Sequence, residues 1–180
     1  LAPLLKTLRE QRSREAVKVL HALQSFNCLK MERRIRAAAT ALLTPELIAS
    51  QGLPALLSDR NLQLYRPIHD LLQIVAAPEM AEERHSLRIA VKKWRYFNEL
   101  LRDLFGWRQS PLLDLLRSYQ SLLGDMNDRE VFSALLHEAP DLTEQDRLTM
   151  QRRIEHEQRK LFRRFCTLLE SRPLTYHFEL

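Results

Sequence analysis

The stretch Glu83-Arg84-His85-Ser86-Leu87-Arg88-Ile89-Ala90-Val91-Lys92-Lys93-Trp94-Arg95-Tyr96-Phe97-Asn98-Glu99 carries two patterns at once. Its apolar residues recur every three to four positions, the spacing of one face of an α-helix. Stepped at about 100° per residue, Leu87, Ala90, Val91, Trp94, Phe97, Leu101 and Leu104 fall on the side that a core would take. Arg84, Arg95, Arg88, Glu99, Lys92, His85, Asp103 and Tyr96 form an opposing stripe roughly 120° wide. Lys93 lies beside that stripe. The helix predicted here runs from about Glu79 to Phe105, where Gly106 stops it, and its cations point in one direction.

The periodicity continues on both sides. Upstream, Leu4, Leu5, Leu8, Ala16, Val19, Leu20 and Leu23 mark a helix from Leu4 to about Leu23, and a second is expected from about Asn27 to Leu43. Thr44-Pro45-Glu46 reads as a helix start with Thr44 as N-cap, interrupted by Gly52 and Pro54. Another helix is expected from about Pro54 to Val75, kinked or broken at Pro67, before the Ala77-Pro78 connector. Downstream, Ser110-Pro111 opens a helix that should end at Gly124. Asn127 is then expected to cap a further helix, with Glu130 completing a capping box and Pro140 closing it. Thr143 caps the last helix, which reaches about Ser171 before Pro173.

Leu, Ala, Arg, Glu and Gln dominate the composition, and three glycines are too few for the turns of an all-β fold. The hydrophobic fraction of 45% is enough for a core. The expected fold is therefore all-α: an antiparallel bundle of six to eight helices in a single domain over residues 1–180. No apolar run is long enough to span a membrane and no signal peptide is visible, so a cytoplasmic location is expected. Opening on Leu1 rather than Met is compatible with a fragment. Cys28 and Cys166 lie far apart with no Cys-x-x-Cys, the pattern of reduced thiols rather than a zinc site.

The formal charge is +5, modest on average, so clustering decides what it can do. In the last helix Arg152, Arg159, Arg163, His156 and Lys160 share a stripe about 100° wide, counted from Arg147. Leu148, Ile154, Leu161, Phe165 and Leu168 face the other way, and Glu155 and Glu157 fall outside the stripe. A solvated helix face is the ordinary explanation of charge opposite a core. Such faces usually mix signs, because like charges three or four residues apart destabilise a helix by a few tenths of a kcal/mol each. The middle helix has partial relief, since Glu99 and Asp103 can pair with Arg95 and Arg102. The last helix has none within its stripe, and two such stripes in one small chain point to an anion groove.

Nucleic-acid binding needs groups that read or stack on bases as well as phosphate contacts. Aromatic residues are 7% of the chain, and Trp94, Phe97, Phe105, Phe162 and Phe165 sit at core positions, leaving only Tyr96 on a charged stripe. A plain polyanion fits this pattern better than RNA or DNA. A membrane surface fits less well, because the apolar faces are committed to a core. Catalytic signals are weak. His21, His69, His85, His137, His156 and His177 show no paired metal spacing, and Gly124-Asp125-Met126-Asn127-Asp128 does not match a calcium loop. There is no phosphate-binding glycine loop and no nucleophile elbow. His85 among arginines is a general-acid candidate but more simply a phosphate donor.

His85-x-x-Arg88-Ile-x-x-Lys92-Lys93-x-Arg95-Tyr96-x-x-Glu99, followed by Tyr119-Gln120-x-Leu122-Leu123-Gly124-Asp125-x-Asn127-Asp128, resembles the CHAD domain. The match is strongest over residues 83–136, and the basic helix over residues 143–171 agrees with it in character. The resemblance implies a helical fold of two pseudo-symmetric halves, each with a His-x-x-Arg-type helix lining a groove that binds long-chain inorganic polyphosphate. It implies no chemistry in the domain itself, which often accompanies a CYTH-type triphosphatase domain carrying the catalytic metal. His85, Arg88, Lys92, Lys93 and Arg95 are the phosphate ligands it implies; Arg152, Arg159, Lys160 and Arg163 are added from the angular count. Only one His-x-x-Arg is present, because His21 and His69 are followed at that offset by Gln24 and Leu72. The chain is accordingly expected to hold the central and C-terminal part, with Leu4 to Ser25 closing a first half that is mostly absent.

The expected function is polyphosphate binding by an accessory module that is not an enzyme and takes no cofactor or metal, with a place at polyphosphate granules. Three rivals stand beside it: a nucleic-acid-binding module, a module docking an acidic protein partner, and a phosphohydrolase. A homo-oligomer is compatible with all of them.

Overall fold

A computed structural model of the protein describes residues 2–42, 44, 46, 52–105, 110–139 and 142–176. These form six helices and no strand: α1 (Ala2–Ser25), α2 (Cys28–Leu42), α3 (Gly52–Leu72), α4 (Ala81–Phe105), α5 (Ser110–Glu138) and α6 (Glu144–Ser171). The all-α expectation holds. Helix ends follow the local chemistry. Asn27 Oδ1 accepts the Lys30 amide at 2.8 Å and starts α2, and the Thr143 hydroxyl accepts the Asp146 amide at 3.2 Å and starts α6. The start read at Thr44-Pro45-Glu46 and the stops at Gly106 and Pro140 fall largely outside the described residues.

Helices α3 to α6 pack in sequence, each against the next, and their directions alternate across the three contacts. Residue pairs across each contact establish this. Asn61 meets Asn98 while Tyr65 meets Trp94, Gln120 meets Arg95 while Asn127 meets His85, and Tyr119 meets Arg172 while Leu136 meets Arg147. Each pairing runs backwards along its partner, as antiparallel helices require. The core between them holds Ile68, Leu87, Val91, Trp94, Leu116, Tyr119, Leu123, Leu161 and Phe165. Burying each aliphatic or Phe side chain contributes about 1.5–3 kcal/mol, which is what lets the four helices hold together.

The chain after α6 closes the bundle. Leu174 is buried, its carbonyl accepts the Tyr65 hydroxyl at 3.0 Å, and the Tyr176 hydroxyl reaches the Ser58 carbonyl at 3.3 Å. The Tyr119 hydroxyl donates to the Arg172 carbonyl at 2.9 Å, and burial pushes its pKa up to about 12. At the far end of α5 and α6 a smaller cluster, Leu136, Ala139, Leu142 and Ile154, takes Leu8 of α1 against it. Other apolar residues of α1 and α2 that periodicity placed on an inward face are exposed, among them Leu5, Val19, Leu20, Leu23 and Ile35.

Several expectations are corrected. The predicted stop at Gly124 does not occur, because α5 runs through it to Glu138. One interior glycine costs about 1 kcal/mol, less than burying Leu122, Leu123, Met126 and Leu136 on the same continuous face returns. Asn127 and Glu130 are thus helix-interior residues, and there is no capping box. Pro67 does not break α3. It sits on the exposed side, where the carbonyl it leaves unbonded can be hydrated, while Ile68 beside it is fully buried. Leu104, Phe105 and Leu148, given to the core by their angle, are largely exposed. Periodicity sets the direction of a side chain but not how deeply it is buried.

Buried polarity is concentrated at Asn61 and Asn98. The Trp94 indole N–H donates to Asn61 Oδ1 at 2.6 Å, and Asn98 Nδ2 donates to the Trp94 carbonyl at 2.8 Å. Asn61→Ala should cost about 1–3 kcal/mol in urea unfolding, because it leaves a fully buried indole N–H unpaired. Gly124→Ala should instead stabilise by about 0.5–1 kcal/mol. A Cβ at position 124 meets only Arg88 Nε, at an ordinary 3.8 Å. A destabilised Gly124→Ala would contradict a continuous α5.

Candidate anion-binding site

The face of α4 that carries cations lies along α5. His85 Nδ1 stands 2.6 Å from Asn127 Oδ1, and Arg88 Nε passes over Gly124. Further along, Arg95 Nε donates to Gln120 Oε1 at 2.7 Å. The two sequence motifs that carry the family resemblance therefore form the two sides of one antiparallel seam. A Cβ at position 124 would meet Arg88 Nε at ordinary van der Waals distance, which places Gly124 directly against the Arg88 side chain. Arg88 is half-buried, and its Nε is buried without a partner. Within this seam Arg88 is the cation with the most unused capacity.

Arg95 is more heavily engaged. Its guanidinium lies 2.7 Å from Glu99, which also takes Arg117 of α5 at 3.1 Å. The Tyr96 ring, half exposed, sits beneath Arg95 at 4.5 Å and near Lys92 Nζ at 5.8 Å. Lys92 and Lys93 are exposed and take no hydrogen bond or ion pair among the described residues. Glu99 pairs with Arg95 as the sequence indicated, and Asp103 pairs with Arg102 at 2.7 Å.

Arg84 leaves the stripe altogether. It is 6% exposed, and its terminal nitrogens donate to the carbonyls of Val75, Ala77 and Pro78 at 3.3, 2.7 and 2.8 Å. It is a latch that ties the α3–α4 turn to the first turn of α4. Burial holds its pKa below the usual arginine value. Angle alone could not separate this role from ligand binding. The cue was the carbonyl-rich Ala77-Pro78 turn a few residues upstream.

On the other flank of α5, Arg117, Ser121, Asp125, Lys160, Arg163 and Arg164 line an open groove of about 830 Å³ between α5 and α6. Asp125 is the chain neighbour of Gly124, so the groove and the Arg88 seam occupy adjacent strips of the same helix. Arg159 and Arg163 also edge a second cavity, formed with Phe162 and the start of α4. Arg152 is exposed one to two turns towards the N-terminus of α6 and lines neither space. The structure thus gathers Lys160 and Arg163 beside the α5 seam and leaves Arg152 apart.

The sequence reading overlooked Arg117 and Arg164, and it passed over a larger signal. Helices α1 and α2 hold nine lysines and arginines against three glutamates, while the rest of the chain is close to neutral. Their described side chains are almost all exposed. A charge tally by segment would have found them.

The model of the CHAD domain matches residues 1–137. This chain belongs to the CHAD family. No curated protein and no solved structure matches it. The CHAD match takes in the α4–α5 seam and both N-terminal helices, and it ends before α6, so the cations of α6 rest on geometry alone. Among the described residues no helix is long and apolar enough to cross a membrane, and no three His, Cys, Asp or Glu side chains stand together as metal ligands would.

Glu130 stands against this positive field. Burial raises its pKa above the ordinary carboxylate value, with Arg84 and His85 partly opposing the rise. A raised folded pKa means that ionisation costs the folded state, so this cost appears as pH rises past the unfolded pKa of about 4.5 and is complete above the folded one. Glu130→Gln should therefore stabilise the fold at pH 7.5 and change little at pH 4, measured by urea unfolding at both. Equal effects at the two pH values would show that Glu130 is not desolvated in the folded chain.

Proposed function

We propose that this CHAD chain binds inorganic polyphosphate as an accessory or targeting module rather than as an enzyme. The observation that carries the reading is the paired arrangement on α5, with the His85–Arg88–Lys92 seam on one flank and the Lys160–Arg163–Arg164 groove on the other. CHAD is a family associated with polyphosphate binding, and these cations supply what that ligand needs. A chain of phosphates presents one charge per unit with no ring to stack and no edge to read. Arginine offers forked donors to its oxygens, and lysine offers mobile point charges. Each neutralised phosphate releases counterions, so affinity falls steeply with salt.

Within the site, His85, Arg88, Lys92, Lys93, Lys160 and Arg163 are assigned as phosphate contacts. Arg95 contributes by position, since it is already paired with Glu99. The positive field of α1 and α2 would draw polyanions in over a longer range. Catalysis, where it accompanies this function, belongs to a separate CYTH-type domain, and localisation to polyphosphate granules follows from binding alone.

Calorimetric titration with long-chain polyphosphate at physiological salt tests this. Tight binding that single-stranded RNA of equal charge does not displace is the expected result. Arg88→Glu, Lys92→Glu and Lys160→Glu combined should reduce affinity by at least about a hundredfold, with helical content retained because none of the three is a core side chain. Equal affinity for RNA would favour a nucleic-acid module. Binding of neither would favour an acidic protein partner.

A further inference from the structure

The cavity at the start of α4 is built differently from the groove. It measures about 740 Å³, within the range of small-molecule sites, and opens between the first turn of α4, the middle of α5 and α6. One wall is apolar, made by Ala81, Met126 and Phe162. Arg159 and Arg163 stand on α6 at its edge, and neither side chain takes a hydrogen bond or ion pair among the described residues. Glu130 lies on α5, and its carboxylate also has no hydrogen bond and no close ion pair there. Behind them the Arg84 guanidinium, 5.2 Å from the Phe162 ring centre, is more than nine-tenths buried and leaves its Nε unpartnered.

Polyphosphate does not match this set. A phosphate chain gains nothing from Met126 and Phe162, and Glu130 repels it. A half-buried carboxylate with no partner is costly unless a donor reaches it. Two free guanidiniums side by side want an anion, and the partly exposed Phe162 ring, together with the mostly buried Met126, offers an apolar wall to a flat body. One ligand that satisfies all three carries an anionic head, an apolar ring and a hydroxyl or amino donor away from the head. We infer that this cavity is a binding site for an organic phosphate of nucleotide type. Its phosphates would lie on Arg159 and Arg163, its ring against Phe162 and Met126, and a hydroxyl or amino group would donate to Glu130. The site goes beyond polyphosphate binding; it shares Arg163 with the groove, so the two are separated by ligand rather than by that residue.

The chain's four methionines make the test direct. Met126 lines the cavity, while Met31 on α2 and Met150 on α6 lie outside its lining. The full chain, labelled at the methionine methyls, is titrated with ADP and, separately, with inorganic pyrophosphate, and followed by NMR. The Met126 methyl should shift and saturate, with half-saturation below about 1 mM ADP, while Met31 and Met150 stay in place. Pyrophosphate should leave Met126 unmoved even where it binds the groove. Ala81→Phe fills the cavity without touching a cation and should abolish the ADP shift. Glu130→Ala removes the acceptor and should weaken ADP by at least about fivefold without weakening pyrophosphate. If Ala81→Phe does not fold, Glu130→Ala carries the same comparison. The inference is overturned by an unmoved Met126 up to 10-fold above that range. It is equally overturned by a Met126 shift from pyrophosphate that matches that of ADP, or by ADP binding that neither variant weakens. Loss of polyphosphate binding with ADP binding intact would overturn the proposed function and leave this site standing.

Discussion

The unbroken course of α5 is the constraint on which the rest of this molecule depends. Helix α4 lies along one flank and α6 along the other, so the register of both is set by one rigid rod. His85 reaches Asn127, Arg88 reaches Gly124 and Arg95 reaches Gln120 only because these three α5 positions follow one another at helical spacing. A break at Gly124 would rotate Asn127 away from His85 and separate the seam from the groove that begins at Asp125. The helix tolerates glycine at its centre because apolar residues on both sides of it are anchored in the same core.

Electrostatics then sorts the cations into three kinds. Arg84 is consumed internally: three turn carbonyls hold it, and its buried charge is offset at a distance by Glu130 rather than by a contact pair. Arg95 and Arg117 share Glu99, an anion that holds both guanidiniums in place. Both Arg95 and Glu99 are about four-fifths buried in this pair, so it is less screened than a surface bridge. Lys92, Lys93, Lys160 and Arg163 remain available, at adjacent strips of the surface.

The angular count on the Glu83–Glu99 stretch placed Leu87, Val91 and Trp94 in the core and His85, Arg88 and Lys92 off it, and the structure agrees. The same count put Arg84 on the cationic stripe beside them. Angle reports a direction around a helix axis and is blind to a turn folded back over that direction. The last helix shows the converse. Its stripe was read correctly, yet its members divide between a polar groove and a half-apolar cavity, and Arg152 joins neither. The free carboxylate of Glu130 could not be seen at all, because its sequence position matched a capping box so well.

The sequence by itself determined that the chain is helical, where most helices begin and end, which faces are apolar, and that it carries the paired motifs of a CHAD domain. Those properties reside in local spacing, composition and capping chemistry, which act within a few residues. Only the tertiary structure decided that α5 continues through Gly124, that Arg84 is a latch, and that Asn61 satisfies Trp94 across 33 positions. It alone brought the α4 and α6 cations to opposite flanks of one helix. Each of these depends on energies of burial and pairing between distant segments, which outweigh a local preference of about 1 kcal/mol and leave no trace in local periodicity.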